Sequence, residues 1–189
     1  MPTWKKIKDI ISNPNVLTLF RILAAPLIVI VMVFPPDRFY MLFAALLFSA
    51  AAITDYLDGY FARQRGMVSN LGKMMDPLAD KLLISCPLIM LAWRGWIPGW
   101  IVCVIIAREI AVTGLRNVIV DGQGDVSASN LGKYKTGFQI AAIIPLLIHF
   151  PIFGINFHSI GMVFLAGALV MTVWSGADYF IRFKKLLDI

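Results

Sequence analysis

Long apolar runs alternate with short polar breaks along this chain, the runs falling at about residues 16–34, 39–61, 73–93, 97–119, 134–150 and 159–182. Each is close to the roughly 17 to 25 residues that a helix needs to cross the hydrocarbon core of a bilayer. Proline, glycine and charge make the breaks: PPDR at 35–38, the segment from Arg63 to Lys73, RGWIPG at 94–99, DGQGDVSASN at 121–130 and FPIFGINFHS at 150–159. These residue types end helices, and no break is long enough to hold a soluble domain. The pattern predicts an all-α polytopic membrane protein with six transmembrane helices, built as a single integral-membrane domain over residues 1–189. Composition agrees, with 59% hydrophobic and 15% charged residues against roughly 45–50% and 25% in soluble domains.

The N-terminus follows a different pattern. In PTWKKIKDII, Trp4, Ile7, Ile10 and Ile11 share one helical face, with Lys5, Lys6, Lys8 and Asp9 around the rest. A short amphipathic juxtamembrane helix over residues 1–13 is expected, lying on anionic membrane lipid and ended by Asn13-Pro14. The segment lacks the apolar core and small-residue cleavage site of a secretory signal.

Positive charge gathers at alternate ends of the runs: Lys5, Lys6 and Lys8; then Arg63, Arg65 and Lys73; then Lys133 and Lys135; then Arg182, Lys184 and Lys185. The intervening breaks hold only Arg38 and Arg94. Both termini are therefore expected on the cytoplasmic side of the cell membrane. Cys86 and Cys103 fall inside expected spans without metal-ligand spacing, and read as small packing residues with no disulfide.

Against this background the stretch TDYLDGYFARQRGMVSNLGKMMDPLADK at 54–81 stands out. With the N-terminus inside, the second span ends and the third begins at the cytoplasmic leaflet, so Asp55, Asp58, Asp76 and Asp80 share one depth. Ionisable groups in spans are costly and by default mark a functional site. Asp55 and Asp58 are three apart and Asp76 and Asp80 four apart, so each pair occupies one helical face. Four close carboxylates need compensation, and the neighbouring cations Arg63, Lys73 and Lys81 are too few. Two divalent ions would supply it, and an all-carboxylate donor set favours Mg²⁺ or Mn²⁺ over zinc. Gly59, Ala62 and Gly72 leave room beside the acids, and Arg63 offers a planar fork for phosphate oxygens.

Asp55, Asp58, Gly59, Ala62, Arg63, Gly72, Asp76 and Asp80 match DxxDGxxARx8GxxxDxxxD without a gap. On these residues the chain resembles the CDP-alcohol phosphotransferases. The motif covers residues 55–80, and the six-span layout also resembles that family. The resemblance implies transfer of the phosphatidyl group of CDP-diacylglycerol to an alcohol, with CMP leaving. It further implies that Asp55, Asp58 and Asp76 ligate metal and that Asp80 both ligates and acts as general base. Gly59, Ala62, Arg63 and Gly72 would then bind the CDP-lipid, and a homodimer is expected. No nucleic-acid partner is expected.

The motif alone does not choose the acceptor. Arg108 and Arg116 lie eight residues apart in the fourth span, a rotation of about 80°, and so point to roughly the same side. That helix descends towards Lys133, Lys135 and Thr136, and convergence of these residues beside the acidic motif would form a pocket for a phosphorylated acceptor. NPNVLTLFRILAAP at 13–26, AREIAVTGLR at 107–116 and LGKYKTGFQ at 131–139 resemble the branch of the family that uses glycerol 3-phosphate. Asn15, Thr18 and Arg21 form a polar stripe that would line the nucleotide or metal pocket, or else bond between helices. An alternative for Arg108 is an ion pair with Glu109 of a second copy or with Asp178. His149 and His158, near the outer face, are not expected to be catalytic.

Three rivals remain. Within the family, phosphatidylglycerol or inositol phosphate would be the acceptor. A divalent-cation channel or carrier needs polar residues through the whole span, yet the outer halves hold almost none. An intramembrane aspartyl protease would need no metal.

Overall fold

The computed structural model describes residues 14–65, 70–121 and 130–186, and the amphipathic helix expected over 1–13 lies outside the described residues. Six helices make up these segments: α1 Pro14–Val33, α2 Arg38–Arg65, α3 Asn70–Trp93, α4 Gly99–Asp121, α5 Asn130–Ile148 and α6 Phe157–Leu186. Among the described residues there is no strand, only an isolated antiparallel bridge between Ile152 and Ile155.

Each helix occupies one of the six apolar runs. Two stretches, Val16–Val33 and Phe157–Ile181, are long and apolar enough to cross a membrane, with mean hydropathies of 2.6 and 1.8. The apolar parts of α2 and α5 are shorter, Arg38–Thr54 and Tyr134–Ile148. In α2 the apolar stretch stops where Asp55 opens the acidic motif. Helices α3 and α4 carry Asp76, Asp80 and Lys81, and Arg108, Glu109 and Arg116, within their length.

The chain forms two compact units, divided between Met90 and Leu91. In the first unit α1 packs along α2. Ala24, Ala25, Ile28 and Met32 of α1 are buried, as are Met41, Ala44, Ala45, Phe48 and Ala51 of α2. Their steps of three and four mark one helical face on each, and the alanines let the backbones approach closely. The other faces carry exposed apolar side chains such as Leu19, Leu23, Leu42 and Leu46. Helices that are apolar all round while exposing one side suit a lipid surrounding. Asp37 caps α2, its carboxylate accepting the Phe39 N–H at 3.1 Å.

In the second unit α5 packs against α6, and α6 also packs along α4. Glycine sets the α5–α6 distance: a Cβ on Gly161 would lie 2.5 Å from Leu146 Cγ, and one on Gly167 2.8 Å from the Phe138 ring. These contacts run in opposite directions along the two helices, so α5 and α6 are antiparallel. The turn into α4 begins at Gly95, with φ +71°, where the Trp96 N–H reaches Leu91 O at 3.0 Å and the Gly95 N–H reaches Ala92 O at 2.9 Å. This pair of hydrogen bonds to carbonyls of the last helical turn needs a left-handed backbone conformation, which glycine adopts without cost from a Cβ.

Trp96 stacks on His149, ring centroids 3.7 Å apart, and its carbonyl lies 2.8 Å from His158 Nε2. The two histidines thus pack the end of this unit where α5 turns into α6. Cys86 and Cys103 are free thiols.

Candidate active site

Helix α2 carries Asp55, Asp58, Gly59, Ala62 and Arg63 in its C-terminal part, and α3 carries Gly72 in its first turn. Their side chains, and those of Asn15 and Lys133, lie outside the described residues. Asp76 and Asp80 follow one turn apart on α3, and both face α1. Arg21 donates through Nη2 to Asp76 Oδ1 at 3.2 Å and through Nη1 to Asp80 Oδ1. The Thr18 hydroxyl, one turn earlier on α1, donates to Asp76 Oδ1.

Burial is unequal within this group. The Arg21 side chain is 2% exposed, whereas Asp76 is 41% and Asp80 50% exposed. A guanidinium shut into an apolar bundle requires an anionic partner, and a helix as apolar as α1 can hold Arg21 because α3 supplies two. The acids retain open surface, and among the described side chains two carboxylates face one buried cation. Both carboxylates reach the same guanidinium, so they lie close enough to share a further cation. Their oxygen donors suit a hard divalent ion. Among the described residues no three acidic, histidine or cysteine side chains form a metal cluster; the side chains of Asp55 and Asp58 lie outside the description.

The second unit holds a cluster of opposite character. Arg108 on α4 donates through Nη2 to Ser175 Oγ on α6 at 3.0 Å, and the Ser175 hydroxyl donates to the Met171 carbonyl at 2.6 Å. Arg108 Nη1 lies 3.7 Å from Glu109 Oε1. The Lys135 ammonium, from α5, donates to that same oxygen. Lys135 is 7% exposed, Arg108 13% and Glu109 19%. Arg116 stands two turns further along α4, within electrostatic range of both cations. Gly176 makes room for this arrangement, since a Cβ there would meet Arg108 Cγ at 3.2 Å.

Of the expected acceptor residues, then, Arg108 and Lys135 are brought together, and Arg116 lies within range on an exposed part of α4. Thr136 instead spends its hydroxyl on the Gly132 carbonyl of its own helix, at 3.2 Å. Arg108 lies 3.7 Å from Glu109 of its own chain. Three partnerships were not read from the sequence: Arg21 with the acids, Glu109 with cations of its own chain, and Ser175 with Arg108. Signals for the first two existed: an arginine within a run of mean hydropathy 2.6 demands an acid, and Glu109 adjoins Arg108 in AREIAVTGLR. Nothing local marks Ser175.

Known proteins resemble this chain over most of its length. A family model described as CDP-alcohol phosphatidyltransferase matches residues 11–174. A Bacillus subtilis (strain 168) protein named CDP-diacylglycerol--glycerol-3-phosphate 3-phosphatidyltransferase is 44% identical over 179 residues, covering 88% of this chain and 92% of its own length. A Rickettsia felis protein of the same name is 38% identical over 173 residues, covering 91% and 95%. One from Blochmanniella floridana, again so named, is 34% identical over 186 residues, covering 96% of both chains.

Proposed function

Because the chain belongs to the CDP-alcohol phosphatidyltransferase family, we propose that it transfers the phosphatidyl group of CDP-diacylglycerol to glycerol 3-phosphate, releasing CMP and phosphatidylglycerol phosphate. The relatives named for that reaction match over most of their length. The observation that carries the reading is the pair of ionic clusters, in which acids form the majority of one and cations the majority of the other among the described side chains. One has two half-exposed acids around a buried arginine. In the other, two cations share one carboxylate.

In this reading Asp55, Asp58, Asp76 and Asp80 hold two divalent ions, Mg²⁺ or Mn²⁺, and the Asp76–Asp80 pair fits such ions by its oxygen donors and open surface. When bound, the ions neutralise charge on the diphosphate and on the departing CMP. The chain's own residues do the remaining work. Arg21 and Thr18 orient the two α3 carboxylates from α1. Asp80 takes the proton of the acceptor hydroxyl as its oxygen bonds to phosphorus and the bond from phosphorus to the CMP oxygen breaks. Gly59, Ala62 and Gly72 admit the cytidine nucleotide, Arg63 grips its phosphate, and Asn15 and Thr18 line its pocket. Arg108, Arg116, Lys133 and Lys135 hold the acceptor phosphate through charge-assisted bonds, with Thr136 alongside.

Six crossings with both termini cytoplasmic put this site at the inner leaflet of the cell membrane, where a water-soluble acceptor and a lipid donor meet; a homodimer is part of the same proposal. An acceptor screen tests the function. Protein purified in detergent is supplied with CDP-diacylglycerol and Mg²⁺, and CMP release is followed. Release should depend on glycerol 3-phosphate. Equal stimulation by phosphatidylglycerol or inositol phosphate would move the chain to another branch of the family.

A further inference from the structure

The Glu109 carboxylate occupies the position in the second unit where an anionic ligand would be expected. Its Oε1 accepts the Lys135 ammonium and faces Arg108 Nη1 at 3.7 Å, so one oxygen engages both of the deepest cations of the cluster. Arg108 is fastened on its far side by Ser175 at 3.0 Å and confined by the backbone at Gly176. Lys135 is almost wholly buried. Neither cation can swing far, so a phosphate reaching for them meets the carboxylate on the same donors. We propose that Glu109 is a built-in competitor of the acceptor phosphate: it serves as counter-ion to Lys135 and Arg108 while the pocket is empty, and weakens phosphate binding so that the phosphorylated product can leave. This inference rests on the assignment of the cluster to the acceptor phosphate.

The charge count supports it. Arg108, Arg116 and Lys135 without Glu109 would present three positive charges to a phosphate monoester of roughly two negative charges at neutral pH. Glu109 brings the described cluster to match that ligand and no further. Cations left unpaired in an apolar interior would also be costly in the empty state, and an internal carboxylate removes that cost. Placing a fixed negative charge beside the bound phosphate has the opposite consequence for affinity, through like-charge repulsion at low effective dielectric.

The test is Glu109→Gln, which keeps the side-chain shape and an accepting oxygen but removes the charge. Two quantities are read on the full-length protein in detergent: the KM for glycerol 3-phosphate, and the inhibition constant of inorganic phosphate competing with it. Both should fall, by about tenfold for one unit charge removed from a partly buried pocket, while the KM for CDP-diacylglycerol stays within about twofold of wild type. Glu109→Asp, whose carboxylate is withdrawn by one methylene from both cations, should show a smaller fall in the same direction and serves where the glutamine variant does not fold. Structural damage raises a KM, so an unchanged or raised value in whichever variant folds overturns the proposal. Lys135→Met separates this from the underlying assignment. If it raises both constants while Glu109→Gln does not lower them, the acceptor site stands and the competitor is refuted. If Lys135→Met leaves both constants unchanged, the assignment itself fails and the inference falls with it.

Discussion

The two ionic clusters use the same ingredients in inverse proportion. In the first unit one buried guanidinium, Arg21, is shared by two half-exposed carboxylates, Asp76 and Asp80. In the second, one carboxylate, Glu109, is shared by two buried cations, Arg108 and Lys135. In each case the minority charge is the hub that holds the majority charges together, and the surplus decides what the cluster attracts. A surplus of acid favours divalent cations, and a surplus of base favours phosphate. Exposure differs too: the acids keep open surface, whereas the cations are buried and act at short range, where charge is screened least.

The largest test of this contrast removes a majority charge from the acidic side. Asp80→Asn should reduce turnover by about a thousandfold, the scale of a lost general base, while CDP-diacylglycerol still binds to the folded protein. Binding assays on the variant check this, and equal loss of binding would make Asp80 chiefly a ligand. EDTA should likewise stop the wild-type reaction, with Mg²⁺ or Mn²⁺ restoring it.

On the basic side, Lys135→Met should raise the KM for glycerol 3-phosphate by about ten- to a hundredfold, as expected for a lost charged hydrogen bond, with little change in the donor KM. Arg116→Ala should act in the same direction and less strongly, because Arg116 is exposed and solvent screens it. Steady-state kinetics with each substrate varied in turn would expose a failure of this asymmetry.

Changing the first hub gives a stability readout. Arg21→Met leaves two acids without their buried partner, and should destabilise the protein by about 1–2 kcal/mol, a figure kept low because both acids are partly solvated. Thermal unfolding in detergent measures it, and added Mg²⁺ should recover part of the loss. Gly176→Ala is the mildest probe. Its methyl would press on Arg108 Cγ at 3.2 Å and should raise the glycerol 3-phosphate KM by about two- to threefold, of the order of half a kcal/mol, without touching the acidic cluster.

Much of this was legible along the chain. Apolar runs bounded by proline, glycine and charge marked out the six described helices, and a spacing of four put Asp76 with Asp80 on one face of α3. Arg108 and Lys135 were singled out by the expected convergence of their helix ends into a pocket for a phosphorylated acceptor. Their partners were harder. Counting only cations near the motif along the chain, Arg63, Lys73 and Lys81, leaves out Arg21, which reaches Asp76 and Asp80 from another helix. For Arg108 the structure shows the adjacent Glu109 and the distant Ser175 as partners.

By itself, then, the sequence determined where helices run, which residues share a helical face and which motif the acids form, because hydropathy and the period of 3.6 residues are local properties. Only the tertiary structure decided that Arg21 meets Asp76 and Asp80, and that Glu109 stands between Arg108 and Lys135. Such pairings depend on which helix faces pack and at what depth. Steps as small as Gly176 against Arg108 set that geometry, and no spacing along one helix encodes it.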